Sequence, residues 1–153
     1  MMKNSGPVVF RTGGSKQIGL GHIRRCLSLA EALRRLGMDC FFLLDEDPVC
    51  ISQLTAAGFE ATHIQPEEDL TRTVEQCRRW KARAIVADSY ALDTAYLAGL
   101  REAKAVVAVV NDLADRELPV DLVVNGSMNA DRLAYRAGKT TRFLLGPRYI
   151  LLR

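Results

Sequence analysis

Metal-ligand and disulfide patterns are missing from this 153-residue sequence. It has only two histidines, and its four cysteines, at positions 26, 40, 50 and 77, never form a C-x-x-C pair. Scattered cysteines of this kind argue against a zinc site or a disulfide framework. Three of them lie inside apolar runs, which is typical of buried free thiols. We therefore expect no metal and no cofactor, and a reducing, cytoplasmic environment.

Strong charge and long hydrophobic runs are equally scarce. The net charge is +3 and the arginines are scattered, whereas a nucleic-acid-binding face needs a denser basic stripe. No apolar run approaches the roughly 20 residues that cross a bilayer. The opening stretch, MMKNSGPVVF, lacks the apolar core of a signal peptide. We expect neither nucleic-acid nor membrane partners.

Apolar, β-branched runs alternate with amphipathic runs along the whole chain. Strands are predicted at 7–10, 39–44, 59–64, 83–88, 105–110 and 121–125, and helices at 22–36, 47–57, 67–80 and 92–102. Such alternation favours βαβ units, and continuously apolar strands are typical of a sheet covered by helices on both faces. The prediction is a single α/β domain over residues 1–153, with a Rossmann-like, mostly parallel, doubly wound sheet.

A glycine-rich loop, TGGSKQIGLG at 12–21, joins the first predicted strand to the first helix. In an open parallel sheet this connection lies at the carboxyl edge, where ligands bind. Gly19 and Gly21 permit a positive φ and a close approach of a ligand to the backbone. The free N–H groups of the helix's first turn favour negative charge there. The loop matches neither the dinucleotide motif G-x-G-x-x-G in register nor the G-K-[ST] of a triphosphate loop.

His22 follows this loop directly, where an anionic or polar substrate would arrive. The helix dipole disfavours the imidazolium form, which leaves a neutral ring that accepts a proton. The alternative is a histidine that caps the helix or fills a gap at the sheet edge.

Four blocks of sequence, in the right order, resemble the UDP-sugar hydrolases of the pseudaminic acid pathway and related spore-coat polysaccharide proteins. RTGGSKQIGLGHIRRCLSLA (11–30) is similar to R-x-D-x-S-x-x-I-G-x-G-H-x-x-R-C-L-x-L-A, and IVADSYALD (85–93) to a strand ending in V-D-x-Y. VVNDLADRELPVDLVVNGS (109–127) resembles I-D-D-L-A-x-R…D-L-L-x-N, and LLGPRYILLR (144–153) resembles L-L-G-x-x-Y-x-L-L-R.

The resemblance implies the N-terminal half of a two-domain enzyme of the GT-B type, whose C-terminal, UDP-binding domain lies outside this sequence. The family hydrolyses UDP-2,4-diacetamido-2,4,6-trideoxy-β-L-altrose without a metal, releasing UDP and the free sugar. Its G-x-G-H histidine is thought to activate the attacking water, with inversion and cleavage of the C1–O bond. That role would fall on His22. Alone, the chain is expected to bind UDP weakly and to hydrolyse little.

The other candidate residues follow from the same blocks. Tyr90 corresponds to the tyrosine of V-D-x-Y and would hydrogen-bond the sugar or the water; the alternative is packing at a loop. Asp88 either orients His22 or Tyr90, or caps the next helix. Ser15, Asp88 and Asp112 complete the expected substrate contacts, together with the two glycines of the loop; the alternative for Ser15 is a solvated loop residue.

Two positions depart from the family pattern. Asn111 stands where the family shows an aspartate, which puts an acidic role there in doubt. Gly13 stands at the motif's first aspartate, which removes a carboxylate from the expected cleft.

Three other functions remain open at this point. A glycosyltransferase of the same architecture would transfer the sugar to an acceptor instead of water. A non-catalytic domain would bind a sugar nucleotide or a partner without turnover. A dinucleotide-dependent oxidoreductase is more distant, because the glycine spacing is wrong and Asp45 is the nearest acidic residue after the second strand.

Overall fold

A computed structural model describes residues 6–14, 19–45 and 47–152 of the chain. The strands in these ranges are β1 (Val8–Thr12), β2 (Cys40–Leu44), β3 (Glu60–His63), β4 (Ala84–Asp88), β5 (Val106–Val110), β6 (Glu117–Leu118), β7 (Leu122–Asn125), β8 (Arg136–Ala137) and β9 (Arg142–Leu145). The α-helices are α1 (Gly21–Arg35), α2 (Pro48–Ala56), α3 (Asp69–Arg79) and α4 (Thr94–Leu100). Every predicted element is present, with ends within two residues of the prediction.

Seven strands form one sheet in the order β3-β2-β1-β4-β5-β7-β9. All six neighbouring pairs run parallel, which confirms the predicted doubly wound sheet. The strand β9 was not predicted. It is an edge strand whose first two residues, Arg142 and Phe143, are exposed, so its sequence lacks the apolar run that marks the central strands. The short strands β6 and β8 pair separately.

The side chains of β1 show how the core is divided between the two faces of the sheet. Val8 and Phe10 pack on the face covered by α1 and α2, and Phe10 stacks on Phe42 with ring centroids 4.8 Å apart. Val9 packs on the opposite face, against Ile85 and residues of α3 and α4. Alternation of side chains along a strand produces this division.

Helix α1 forms as its spacing predicts. Its apolar face, made of Ile23, Cys26, Leu27 and Ala30, is fully buried. Gly37, with φ of +80°, terminates the helix in the left-handed conformation that glycine adopts without strain. The burial of this face fixes the start of α1 against β1, and therefore the position of the residues in its first turn.

The cysteines and the single tryptophan pack in or against the core. All four cysteines are free and buried, which confirms the prediction made for the three in apolar runs. Trp80 packs on Phe41, with ring centroids 4.9 Å apart. In the part of the chain that the structure describes, no helix has the length and hydrophobicity to cross a membrane.

Candidate active site

The carboxyl edge of the sheet gathers the candidate residues from two βα connections and from the segment after β5. Thr12 at the end of β1 lies opposite Asp88 at the end of β4, and its hydroxyl donates a hydrogen bond of 2.8 Å to the Asp88 main-chain oxygen. His22 enters from the first turn of α1, and Asp112 follows β5 by two residues. Four separate segments of sequence therefore meet at one edge.

His22 is paired with a fully buried carboxylate. Its Nδ1 lies 2.7 Å from Oδ1 of Asp88, which has no exposed surface. A carboxylate only accepts hydrogen bonds, so this contact assigns the proton to Nδ1 and the lone pair to Nε2. Among the described residues none hydrogen-bonds Nε2, which is therefore the nitrogen left to accept a proton.

Asp88 does not cap the next helix, so that alternative is wrong. The N-cap of α4 is Asp93, whose carboxylate accepts the Tyr96 N–H at 2.8 Å. The carboxylate of Asp88 instead points towards α1, where it binds His22 and Arg25.

Arg25 is the partner that sequence reasoning missed. Its Nε lies 2.5 Å from Oδ2 of Asp88, its Nη2 lies 2.5 Å from Oδ1, and its Nη1 donates to Asp112 at 3.1 Å. Burial alone would lower the pKa of Arg25, but its hydrogen bonds to Asp88 and Asp112 raise it above the usual value. The guanidinium is therefore charged. The sequence signal for Arg25 was its position one turn after His22, in the H-x-x-R pattern. Its partner Asp88 is 63 residues further along the chain, so the pairing could not be predicted locally.

Tyr90 closes the cluster from the solvent side. Its ring meets the His22 ring edge-on, with centroids 4.5 Å apart, and its hydroxyl donates to Asp112 at 3.3 Å. Tyr90 is 47% exposed. Burial and the neighbouring Asp112 charge raise the pKa of the phenol, so the hydroxyl keeps its proton at neutral pH. Its partner Asp112, predicted only as a substrate contact, therefore links Tyr90 to Arg25.

The glycine loop agrees with the prediction in part. Gly19 has φ of +91°, as expected, and a Cβ there would meet no atom within 4 Å. Gly21 does not adopt a positive φ: it is the first residue of α1, so the expectation for Gly21 is wrong in this respect. The α1 N-terminus has no side-chain cap and no acidic residue in its first turn. Ser15 lies outside the described residues.

A pocket of about 470 Å³ lies beside the cluster. Its lining residues are Gly21, Arg24, Arg25, Val110 and Asp112, together with residues 124–127 and 149–152. His22 and Tyr90 are not part of its wall, so Arg25 and Asp112 are the groups that the cluster and the pocket share. None of the lining residues from 124 onwards was predicted as a site residue. They lie at the end of β7 and in the C-terminal segment.

A second buried ionic cluster occupies the other face of the sheet. Arg11, 2% exposed, contacts Asp45 at 2.6 Å and Asp69 at 2.5 Å, and the Tyr96 hydroxyl donates to Asp69 at 2.6 Å. Burial alone would raise the pKa of Asp69, but its hydrogen bonds with Arg11 and Tyr96 lower it. Asp69 is the first residue of α3. Asp45, the nearest acidic residue after the second strand, is paired with Arg11 through its Oδ1.

The two positions that depart from the family pattern have local explanations. The Asn111 side-chain oxygen accepts the Ala114 N–H at 2.8 Å, and Ala114 has φ of +51°, so Asn111 shapes the turn after β5. A Cβ at Gly13 would overlap the Asp45 carboxylate. The Asp45 carboxylate, directly after β2, thus occupies the space where a side chain at position 13 would begin.

Comparison with known proteins by sequence finds a distant relative. No protein-family model matches the chain. An uncharacterized protein of Methanocaldococcus jannaschii, MJ1062, is 26% identical over 151 residues, covering 95% of this chain but 31% of the relative. The chain thus spans about a third of the length of that curated relative.

Two solved structures are similar in fold. MurG of Acinetobacter baumannii has a TM-score of 0.58 at 12% identity, over 86% of this chain and 44% of MurG. The Anabaena protein Alr3699/HepE, solved in complex with UDP and glucose, has a TM-score of 0.63 at 12% identity, over 90% of this chain and 43% of that protein. These likenesses confirm the fold class: a Rossmann-like sheet that matches one half of a GT-B fold.

Proposed function

We propose that this chain is the base-bearing, N-terminal half of a metal-independent UDP-sugar hydrolase. The observation that carries the proposal is the Asp88–His22 pair at the carboxyl edge of the sheet. The Nδ1 contact of 2.7 Å holds the ring in the tautomer whose Nε2 accepts a proton. This is the arrangement that a general base requires.

The proposed reaction is a displacement at the anomeric carbon. A water oxygen bonds to C1 as its proton passes to Nε2 of His22. The bond between C1 and the phosphate oxygen breaks, and UDP leaves with that electron pair. UDP is a good leaving group, so one base is enough and no general acid is required. The Tyr90 hydroxyl, exposed beside the imidazole ring, would hydrogen-bond the water or the sugar.

The substrate class rests on two supports. The four sequence blocks resemble hydrolases of a UDP-linked 2,4-diacetamido-2,4,6-trideoxy sugar. The Anabaena protein of similar fold was solved with UDP and glucose. In this proposal the present chain supplies the base and part of the sugar site, and a second, C-terminal domain supplies most of the UDP contacts.

Glycosyl transfer is the second candidate, favoured by the fold likeness to a protein that holds UDP and glucose. The same Nε2 would then take the proton from an acceptor hydroxyl, and the acceptor oxygen would bond to C1 instead of water. The two reactions differ in one measurable respect: transfer releases UDP only when an acceptor is present.

The test is UDP release from the altrose-configured UDP-sugar, with UDP-glucose and UDP-N-acetylglucosamine as alternative substrates. Each would be given to the chain alone and to the chain with its C-terminal domain added as a separate protein. His22→Gln should lower the rate by about 100-fold or more. His63→Gln is the matched control, because His63 lies on β3, three strands from β4.

Hydrolysis in water enriched in oxygen-18 should place the label in the free sugar and none in UDP. Release that depends on an added acceptor alcohol would replace hydrolysis with transfer. A folded chain that gives no release with any of these substrates, with or without the second domain and an acceptor, would overturn the catalytic proposal.

A further inference from the structure

We propose that Arg25 is a positioning residue that cancels the charge of Asp88 and thereby keeps His22 in its neutral, proton-accepting form. Its importance for catalysis rests on the proposed function, but its effect on His22 does not. The proposal stands on the contacts among Arg25, Asp88 and His22.

A buried carboxylate next to an imidazole ordinarily favours the imidazolium, because the opposite charge stabilises the protonated ring. Asp88 is fully buried and lies 2.7 Å from Nδ1 of His22, so it alone would have this effect. A base held in the imidazolium form has no lone pair to offer.

The guanidinium of Arg25 removes that bias. It binds both oxygens of Asp88 at 2.5 Å, in the planar two-point geometry that arginine forms with carboxylates. Its Nη2 also lies 3.1 Å from Nδ1 of His22. Because Nδ1 carries the proton given to Asp88, this last contact is a close approach of two donors, and a positive ring charge would be repelled there.

Among the described residues, the other groups that face His22 come from three elements. Tyr90, after β4, has a phenol whose pKa is raised by burial and by Asp112. The thiol of Cys26, on α1, donates a hydrogen bond to Asp88, and burial raises the pKa of that thiol. Both are uncharged at neutral pH. Asp112, after β5, is negative, and it shares Arg25 with Asp88.

Arg25 is suited to this role by its position. It lies three residues after His22, and residues at that spacing share one face of a helix. It links α1 to β4 and to the segment after β5 through Asp88 and Asp112. The same contacts that orient Asp88 therefore set the charge that His22 experiences.

The experiment is an NMR titration of the untagged chain, whose two histidines give two ring signals. The spectrum of His22→Gln assigns them. In Arg25→Gln, which keeps hydrogen-bonding capacity but loses the charge, the titration midpoint of His22 should move up by about one pH unit. Arg25→Lys, which keeps the charge, should return the His22 midpoint most of the way to its wild-type value. Arg35→Met is the control for a lost positive charge, because Arg35 lies on the same helix 13 residues after His22, about 20 Å from it.

A folded Arg25→Gln chain with an unchanged midpoint would overturn the proposal, and so would equal shifts in Arg25→Gln and Arg25→Lys. If circular dichroism shows that Arg25→Gln does not fold, Asp112→Asn decides. That variant leaves the Arg25–Asp88 contacts in place and removes a negative charge, so the midpoint should fall; an unchanged midpoint refutes the charge coupling. The titration uses no substrate, so absence of turnover together with the expected shift would count against the hydrolase alone.

Discussion

Replacing Arg11 by methionine should be among the most destabilising single changes in this chain. The substitution keeps the length of the aliphatic stem but leaves Asp69 with its carboxylate only 16% exposed and without its cation. Removing one partner of a buried ion pair costs about 3–5 kcal/mol. For a chain of this size that corresponds to a fall of roughly 6–20 °C in Tm. Asp45 adds little, because its side chain is 45% exposed and water solvates it.

The same pair predicts how this cost depends on pH. The pKa of Asp69 is lowered from its usual 3.8 in the folded chain, so its pairing stabilises the fold above that value. The stabilisation is lost as the pH falls through the lower, folded pKa. The deficit of Arg11→Met relative to wild type should therefore be largest at neutral pH and should shrink below about pH 4.

Urea unfolding followed by fluorescence measures both quantities, because the chain has a single tryptophan, Trp80, packed on Phe41. Arg72→Met is the control: it removes the same side chain from an exposed helical pair with Glu68 and should leave the unfolding midpoint unchanged. A deficit under about 1 kcal/mol for Arg11→Met, or one that stays constant into acid, would refute the reasoning.

Three further outcomes are expected. Asp47→Ala should lower the free energy of unfolding in urea by about 1 kcal/mol, because Asp47 is the N-cap of α2 and accepts the Val49 N–H at 2.9 Å. A loss under about 0.3 kcal/mol would contradict the role of Asp47 as N-cap. Burial raises the pKa of Cys77 to about 12, so the folded chain at pH 8 should react slowly with a thiol reagent while the urea-unfolded chain reacts fully; equal rates would show an open interior. Gly13→Ala should destabilise the chain, and Asp45→Gly added to it should recover most of the loss, whereas additive effects would argue against their contact.

The sheet could be predicted from the sequence because its signals are local. Runs such as CFFLL and VVAVV are continuously apolar, and the face of α1 repeats at three and four residues. The edge strand β9 escaped prediction because its RFLL segment is half exposed and needs no apolar run. The strand conformation of β9 depends on its pairing with β7, and a local sequence pattern carries no information about that pairing.

The candidate site could be predicted as a set of single residues but not as a network. His22 stood out because it follows a glycine loop and begins a helix. Arg25 did not, since its partners Asp88 and Asp112 are 63 and 87 residues away. Likewise nothing local distinguishes Arg11 from a solvent-exposed arginine, because its two carboxylates follow β2 and begin α3. Pairings over such separations depend on strand order, which is a property of the whole sheet.

The overlap between position 13 and Asp45 also bears on how sequences of this fold can vary. The space beside the end of β1 is occupied here by the carboxylate of Asp45, directly after β2, with glycine opposite at position 13. A chain with aspartate at 13 would deliver a carboxylate to the same place from the other strand, but only with a small residue at 45. The two positions should therefore covary among homologues, and an intermediate with side chains at both would pass through a destabilised state.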